Sequence, residues 1–99
     1  IEKGYSQKNN KIILDPYAWI KVFVKNTMPF DEMDYCFTSS DGGGGGHFGK
    51  DVDTTEIHLA SGNRKTQILW RVHKNNTIKE YTDSLYIKAH DTAQYHINY

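Results

Sequence analysis

Hydrophobic and polar residues alternate one by one through much of the chain, which is the period of a β-strand with one buried face. The alternation is clearest over residues 17–25, where the even positions are small or aliphatic. Because successive side chains of a strand point to opposite faces, we expect these even positions to form core. The odd positions, which we call the aromatic stripe, mix rings with lysines: Tyr17, Trp19, Lys21, Phe23 and Lys25.

Several shorter segments alternate in the same way, and turn-forming residues such as Asp15-Pro16 and Lys74-Asn75-Asn76 separate them. The predicted strands cover residues 11–14, 17–25, 35–39, 55–59, 66–73, 77–81, 84–90 and 94–99. No long window carries a helical stripe. The sequence therefore predicts one all-β domain over residues 1–99, an antiparallel β-sandwich or barrel of about eight short strands.

Residues 40–49 are of low complexity and include five consecutive glycines, Gly42 to Gly46. Glycines have no side chains to pack and retain high backbone entropy, so we expect a mobile, flexible Gly-rich loop at the surface. A phosphate-binding loop would need a Lys-Ser/Thr pair and a following helix, whereas Lys50 is followed by Asp51. His47 and Phe48 are the residues of this loop that we expect to contact a ligand or partner.

Composition narrows the choice of partners. Lys and Arg together number 12, as do Asp and Glu, so no net charge draws the chain to nucleic acid. No apolar run approaches the length that spans a membrane. The aromatic share of 13% is high for a disordered chain and favours a folded domain. The chain begins with Ile1 rather than Met, which indicates either a processed protein or a shortened chain. We expect a secreted protein, and its oligomeric state is left open.

The residues that commonly bind metals do not occur at metal-binding spacings. The single cysteine, Cys36, lies in an alternating segment near acidic residues, which indicates a buried, unreactive thiol. No two histidines have a zinc-site spacing. The segment that starts at Asp51 begins like a calcium loop but has Glu56 and Gly62 where Gly and Glu are needed. We therefore expect no metal and no cofactor.

One stretch suggests an enzyme instead. Ser61-Gly62-Asn63-Arg64 and the residues up to Trp70 resemble the Ser-Gly-x-Arg-x-Ser strand segment of barnase-type microbial ribonucleases, over about a tenth of the chain. The resemblance implies an acid–base mechanism with Glu56 as base, Arg64 or Arg71 on the phosphate, and His90 or His96 as acid. The candidate catalytic residues of this alternative are Glu56, His58, Arg71, His73 and His90. A hairpin with a Ser-Gly-Asn turn explains the same stretch without chemistry.

The main hypothesis is a small secreted recognition domain that binds a glycan, a cell surface or a protein, with the mature part of a toxin or effector as one form of it. Its candidate binding residues are Tyr17, Trp19, Lys21, Phe23, His47 and Phe48. Exposed aromatic side chains favour binding because they offer flat apolar area with little entropy to lose. The alternatives are the ribonuclease-like toxin enzyme and a viral or phage inhibitory or structural module that uses the glycine loop.

Overall fold

A computed structural model describes residues 16–99, and all regular structure in this part of the chain is β. The strand predicted over residues 11–14 lies outside the described residues. The strands are β1 (Tyr17–Lys25), β2 (Tyr35–Ser40), β3 (Gly43–Phe48), β4 (Asp53–Ser61), β5 (Arg64–Lys74), β6 (Thr77–Ile87) and β7 (Thr92–Asn98).

The strands form two sheets, so the predicted all-β, sandwich-like fold is confirmed. Sheet A has the order β4-β1-β7, and sheet B has the order β3-β2-β5-β6. Neighbouring strands are antiparallel except for β1 and β7, which run parallel. The parallel pair departs from the purely antiparallel prediction, because the chain crosses from sheet B back to sheet A before β7.

The core lies between the sheets and is built from the alternation that the sequence shows. The even positions of β1 (Ala18, Ile20, Val22 and Val24) are 0% exposed, as predicted. Sheet B contributes Cys36, Ile68 and Val72, and β7 contributes Ile97, all of them buried. Strands β1, β2, β5 and β7 therefore place one face in this core and turn the other face outward, whereas β6 is exposed on both faces from Thr77 to Ser84.

The glycine run was predicted to be a mobile loop, and this prediction is wrong: Gly43–Phe48 is strand β3, paired antiparallel with β2. Glycines give no alternating pattern, so the run carries no strand signal of its own. At two positions of this strand, neighbouring side chains leave little room for a side chain larger than that of glycine. A Cβ at Gly43 would lie 3.0 Å from His58 Cγ, and one at Gly45 would lie 2.6 Å from Glu56 Oε2.

The segments 77–81 and 84–90 were predicted to be separate strands with a turn at Thr82-Asp83. They form one strand, β6, in which Thr82 pairs with Leu69 and Asp83 pairs with Ile68. The turn-forming residues Thr82 and Asp83 are tolerated here because the long strand β5 pairs with β6 along its whole length. The predicted turn at Lys74-Asn75-Asn76 does form, with positive φ angles of 54° and 59° at the two asparagines.

Candidate functional site

The aromatic stripe lies on the outer face of sheet A. Tyr17 is 56% exposed, whereas Trp19, Lys21 and Phe23 are half-buried. Strand β7 places His96 beside Phe23, and their rings stack at 4.6 Å between centroids. The stripe therefore faces outward, but neighbouring side chains cover part of it.

A lysine of the stripe adds to that cover. Lys21 Nζ lies 5.4 Å from the centre of the Phe23 ring, within the range of a cation–π contact. On the other side, β4 places Leu59 opposite Trp19, and Ile57 opposite Lys21. The stripe is thus the middle of a mixed surface in which the Phe23 ring already has intramolecular partners.

A second aromatic surface lies on the outer face of sheet B. The strand register places Phe48 and His73 on either side of Tyr35, and Phe37 follows two residues along β2. We call Tyr35, Phe37, Phe48 and His73 the ring cluster. Tyr35 stacks on His73 at 5.1 Å, and Phe37 meets Phe48 edge-on at 5.3 Å. Phe48 is 71% exposed and Phe37 is 38% exposed, so this apolar surface is open to solvent.

A shallow groove of about 300 Å³ runs beside the ring cluster. Its walls include Phe37, Leu69, Arg71 and Glu80. Arg71 forms an ion pair with Glu80 across β5 and β6, and both side chains are more than half exposed. The groove therefore joins an apolar wall to a charged pair on one exposed face.

His47 and Phe48 are adjacent in sequence but lie on opposite faces of β3. His47 points inward and contacts the carboxylate of Glu56. Glu56 Oε1 accepts hydrogen bonds from Thr38 Oγ1 and His58 Nε2, each at 2.6 Å. We call Thr38, Ser40, His47, Glu56 and His58 the Glu56 cluster. It fills the space between the sheets where β3 and β4 meet.

The hydrogen bonds of this cluster determine the proton positions on His58. A carboxylate can only accept, so Nε2 carries a proton; in the neutral ring Nδ1 then accepts from the Ser40 hydroxyl, 2.6 Å away. Burial raises the pKa of Glu56, but the hydrogen bonds from Thr38, His47 and His58 lower it to below its ordinary value. Glu56 is therefore held as a carboxylate that its neighbours already saturate.

A serine, a histidine and a carboxylate in a hydrogen-bonded row are also the elements of a hydrolytic triad. Here the histidine and the carboxylate of the row are enclosed. The His58 side chain is only 1% exposed, and a Cβ added at Gly43 would lie 3.0 Å from Cγ of its ring, a tight contact. A substrate carbonyl would need space beside the Ser40 hydroxyl and donors for its oxyanion. The arrangement instead satisfies buried polar groups and ties β2 and β3 to β4.

A second buried polar group, which the sequence analysis missed, lies near the start of β2. Asp34 is 2% exposed and accepts hydrogen bonds at 3.0 Å from Asn26 Nδ2 and the Asp31 amide. Lys74 Nζ lies 3.7 Å from the Asp34 carboxylate and donates to the carbonyl of Tyr99. Burial raises the pKa of Asp34, but these hydrogen bonds and the lysine charge outweigh burial and lower it. The group fastens the chain end to sheet B.

The candidate catalytic residues of the ribonuclease alternative are not brought together. Glu56 and His58 share the inner cluster, whereas Arg71 and His73 lie on the outer face of sheet B. His90 occupies the turn before β7, with a φ of 68°. Of the other two residues that the resemblance named, His96 stacks on Phe23 in sheet A and Arg64 begins β5. The candidates are therefore spread over both sheets, some between the sheets and some on the outer faces.

The cysteine and the metal-binding side chains offer no reactive centre in the described part of the chain. Cys36 is buried, and burial together with the nearby Glu56 charge raises its thiol pKa to about 12, far from the thiolate that nucleophilic attack needs. No group of His, Cys, Asp or Glu within residues 16–99 is arranged to hold a metal ion. In the Glu56 cluster the donor atoms bond to one another instead.

The described residues also contain no helix of the length and apolarity that a membrane crossing requires. Comparison of the chain with protein-family models, with curated proteins and with solved structures finds no match, so the function must be argued from the two aromatic surfaces and the Glu56 cluster alone.

Proposed function

We propose that this domain is a non-enzymatic recognition module that binds a partner protein through the outer face of sheet B. The observation that carries the proposal is the ring cluster, in which Phe48 and Phe37 stay exposed although they contact each other. Aromatic side chains and arginine are enriched in the cores of protein–protein interfaces. Phe37 and Arg71 border the same groove, which gives a partner both an apolar anchor and a charged contact.

A protein partner fits this surface better than a sugar does. A sugar ring stacks on a free, flat aromatic face. In the ring cluster the face of Tyr35 is taken by His73, and Phe37 and Phe48 meet at 81°. What remains exposed is an uneven apolar surface, whose shape suits contact with the side chains of another protein.

The aromatic stripe of sheet A supports recognition less well. Phe23 is stacked by His96 and covered by Lys21, so a ligand would have to displace contacts that already exist. Catalysis is supported still less, because the Glu56 cluster is enclosed and its hydrogen bonds are satisfied internally.

The test is a binding screen of the purified domain against a protein array and a glycan array, repeated with Phe48→Ala and with Trp19→Ala. We expect a protein ligand whose binding Phe48→Ala weakens at least tenfold, about 1.4 kcal/mol, while Trp19→Ala leaves it unchanged. Ile57→Ala is the matched control, since Ile57 is 60% exposed on sheet A. Binding that depends on Trp19 and survives the loss of Phe48 would overturn the proposal, as would binding to glycans alone.

A further inference from the structure

Strand β3 is an edge of sheet B, and the hydrogen-bond phase of its pairing with β2 determines which backbone groups are free. The Gly49 amide donates to the Asp34 carbonyl at 2.8 Å, so these opposite residues form a hydrogen-bonded pair. Such pairs recur at every second residue of an antiparallel ladder. The odd-numbered residues of β3 therefore point their amides and carbonyls toward β2. Those of Gly44, Gly46 and Phe48 point to the open edge.

One end of this edge is closed within the molecule. The Leu59 amide of β4 donates to the Gly42 carbonyl at 3.2 Å, just before β3 begins. From Gly44 to Phe48 the outward backbone groups have no backbone partner among residues 16–99. An unpaired edge of this kind is a template for another strand.

We propose that β3 pairs antiparallel with β3 of a second copy of this chain, about a two-fold axis at Gly46. In this register Gly46 lies opposite itself, and Gly44 lies opposite Phe48 of the second copy. Every outward amide and carbonyl from Gly44 to Phe48 then has a partner. The interface is isologous, so it closes at a dimer and leaves no further edge at β3.

The side chains of β3 are complementary in the same register. Phe48, which is 71% exposed, lies opposite Gly44 of the second copy, so its ring can cover a strand that has no side chain there. On the inner face His47 lies opposite Gly45. Each bulky residue at one end of β3 thus meets a glycine of the other copy, and the central pair is glycine with glycine.

Other registers use the edge less fully. A shift of two residues in one direction places Phe48 opposite Gly42, whose carbonyl Leu59 already occupies. A shift in the other direction places Gly44 opposite Lys50, which lies beyond β3 and beyond the turn at Gly49, where φ is 94°. The register centred on Gly46 is therefore the one that pairs all the free groups.

The dimer would join the two copies of sheet B into one continuous sheet. The ring clusters of both copies would lie side by side on the same outer face, with Phe37 and Leu69 still open. This inference goes beyond the proposed function, because it concerns the backbone edge of β3 and a second copy of the chain rather than a different protein.

The experiment combines sedimentation equilibrium with residue-resolved amide hydrogen exchange by NMR, on the full chain from micromolar to millimolar concentration. We expect a monomer–dimer equilibrium. The amides of Gly44, Gly46 and Phe48 should become slower to exchange as dimer forms, whereas those of Gly45 and His47 should be slow at all concentrations, since they bond to β2. This alternation distinguishes the β3 edge from any other interface.

Variants test the register. Replacement of Gly46 with N-methylglycine puts a methyl group in place of one outward N–H and should abolish the dimer, while near-ultraviolet circular dichroism shows an intact fold. Phe48→Lys should weaken dimerisation by roughly tenfold, from the loss of two symmetry-related ring contacts. Ile78→Lys is the matched control on the opposite edge strand of sheet B; Ile78 is 58% exposed, and the change should leave dimerisation unaffected.

A monomer at millimolar concentration overturns the inference, and so does a dimer in which the amides of Gly44, Gly46 and Phe48 exchange at the monomer rate. Neither result touches the proposed function, which rests on binding of a different protein by the ring cluster. Conversely, an alternating protection pattern with no protein ligand in the array would support the dimer and contradict the proposed partner.

Discussion

Strands β2 and β3 contribute to two regions with opposite properties, the ring cluster on the outer face and the Glu56 cluster on the inner face. Outward, the ring cluster is mostly apolar, exposed and held by ring contacts and by one hydrogen bond, from His73 Nδ1 to the Met33 carbonyl at 2.8 Å. Inward, the Glu56 cluster is polar, enclosed and held by short hydrogen bonds. His47 and Phe48, one residue apart, belong to different regions. We therefore expect substitutions in the Glu56 cluster to change the free energy of unfolding, and substitutions in the ring cluster to change partner binding.

The largest expected effect is on the inner side. Glu56→Ala would leave His58, which is 0% exposed, and the Thr38 hydroxyl without their acceptor. We expect a loss of about 3 kcal/mol in the free energy of unfolding, measured by urea denaturation. Glu80→Ala is the control, because Glu80 is 64% exposed and its pair with Arg71 should contribute under about 0.5 kcal/mol. Equal losses for the two variants would remove the distinction between the regions.

Substitutions of two neighbouring glycines, Gly45 and Gly46, test the Glu56 cluster and the ring cluster separately. A methyl group at Gly45 would lie 2.6 Å from Glu56 Oε2, whereas one at Gly46 would lie 2.7 Å from the Phe37 ring. The carboxylate is held by three hydrogen bonds, but the ring borders solvent and can turn away. We expect Gly45→Ala to cost about 2 kcal/mol and Gly46→Ala under about 1 kcal/mol in urea denaturation. The reverse order would mean that the outer face is the more tightly packed.

Acid should weaken the inner region selectively. The folded-state pKa of Glu56 lies below its ordinary value of 4.5, so its contribution to stability is complete above that value. The contribution is lost as the pH falls through the folded-state pKa. The pKa of Asp34 is also lowered, so the acid sensitivity of the wild type alone does not isolate Glu56. The measurement is therefore the pH dependence of the difference in unfolding free energy between wild type and Glu56→Gln. This difference should shrink in acid; for Glu80→Gln it should stay near zero, and a flat difference for Glu56→Gln would contradict the assignment.

The smallest effect on stability belongs to Phe48→Ala. Because the Phe48 side chain is 71% exposed, its removal should change the free energy of unfolding by about 0.5 kcal/mol or less. The same variant should have the largest effect on partner binding. A thermal melt beside the binding measurement checks both at once, and a large stability loss would show that the ring cluster is packing rather than a binding surface.

Alternation was enough to predict much of the fold. In β1 the aliphatic even positions became core, and in β5 the same held for Ile68 and Val72. The spacing of two puts Glu56 and His58 on one face of β4, but alternation gives the wrong direction there: the apolar residues Ile57 and Leu59 are 60% and 43% exposed, and His58 is buried. The meeting of these two with Ser40 and His47 could not be predicted, because it depends on β3 and β4 closing one side of the sandwich.

The errors have the same origin. The glycine run has no side-chain pattern, so its sheet partner alone makes it a strand. Thr82 and Asp83 have turn propensity, yet the long ladder with β5 overrides it. The Asp34 group was missed because Asn26, Asp34 and Lys74 lie far apart in sequence and meet only in the folded chain.

Alternation in the sequence is enough to show that this chain is all-β and which residues of β1 and β5 face inward, because side-chain direction along a strand is local geometry. Three features depend on the tertiary structure. His96 and Lys21 partly cover the aromatic stripe, and the ring cluster stays open to solvent. Strand β3 has a free edge. Exposure of an outward face depends on what the neighbouring strands place beside it, and strand pairing joins residues that no local pattern connects.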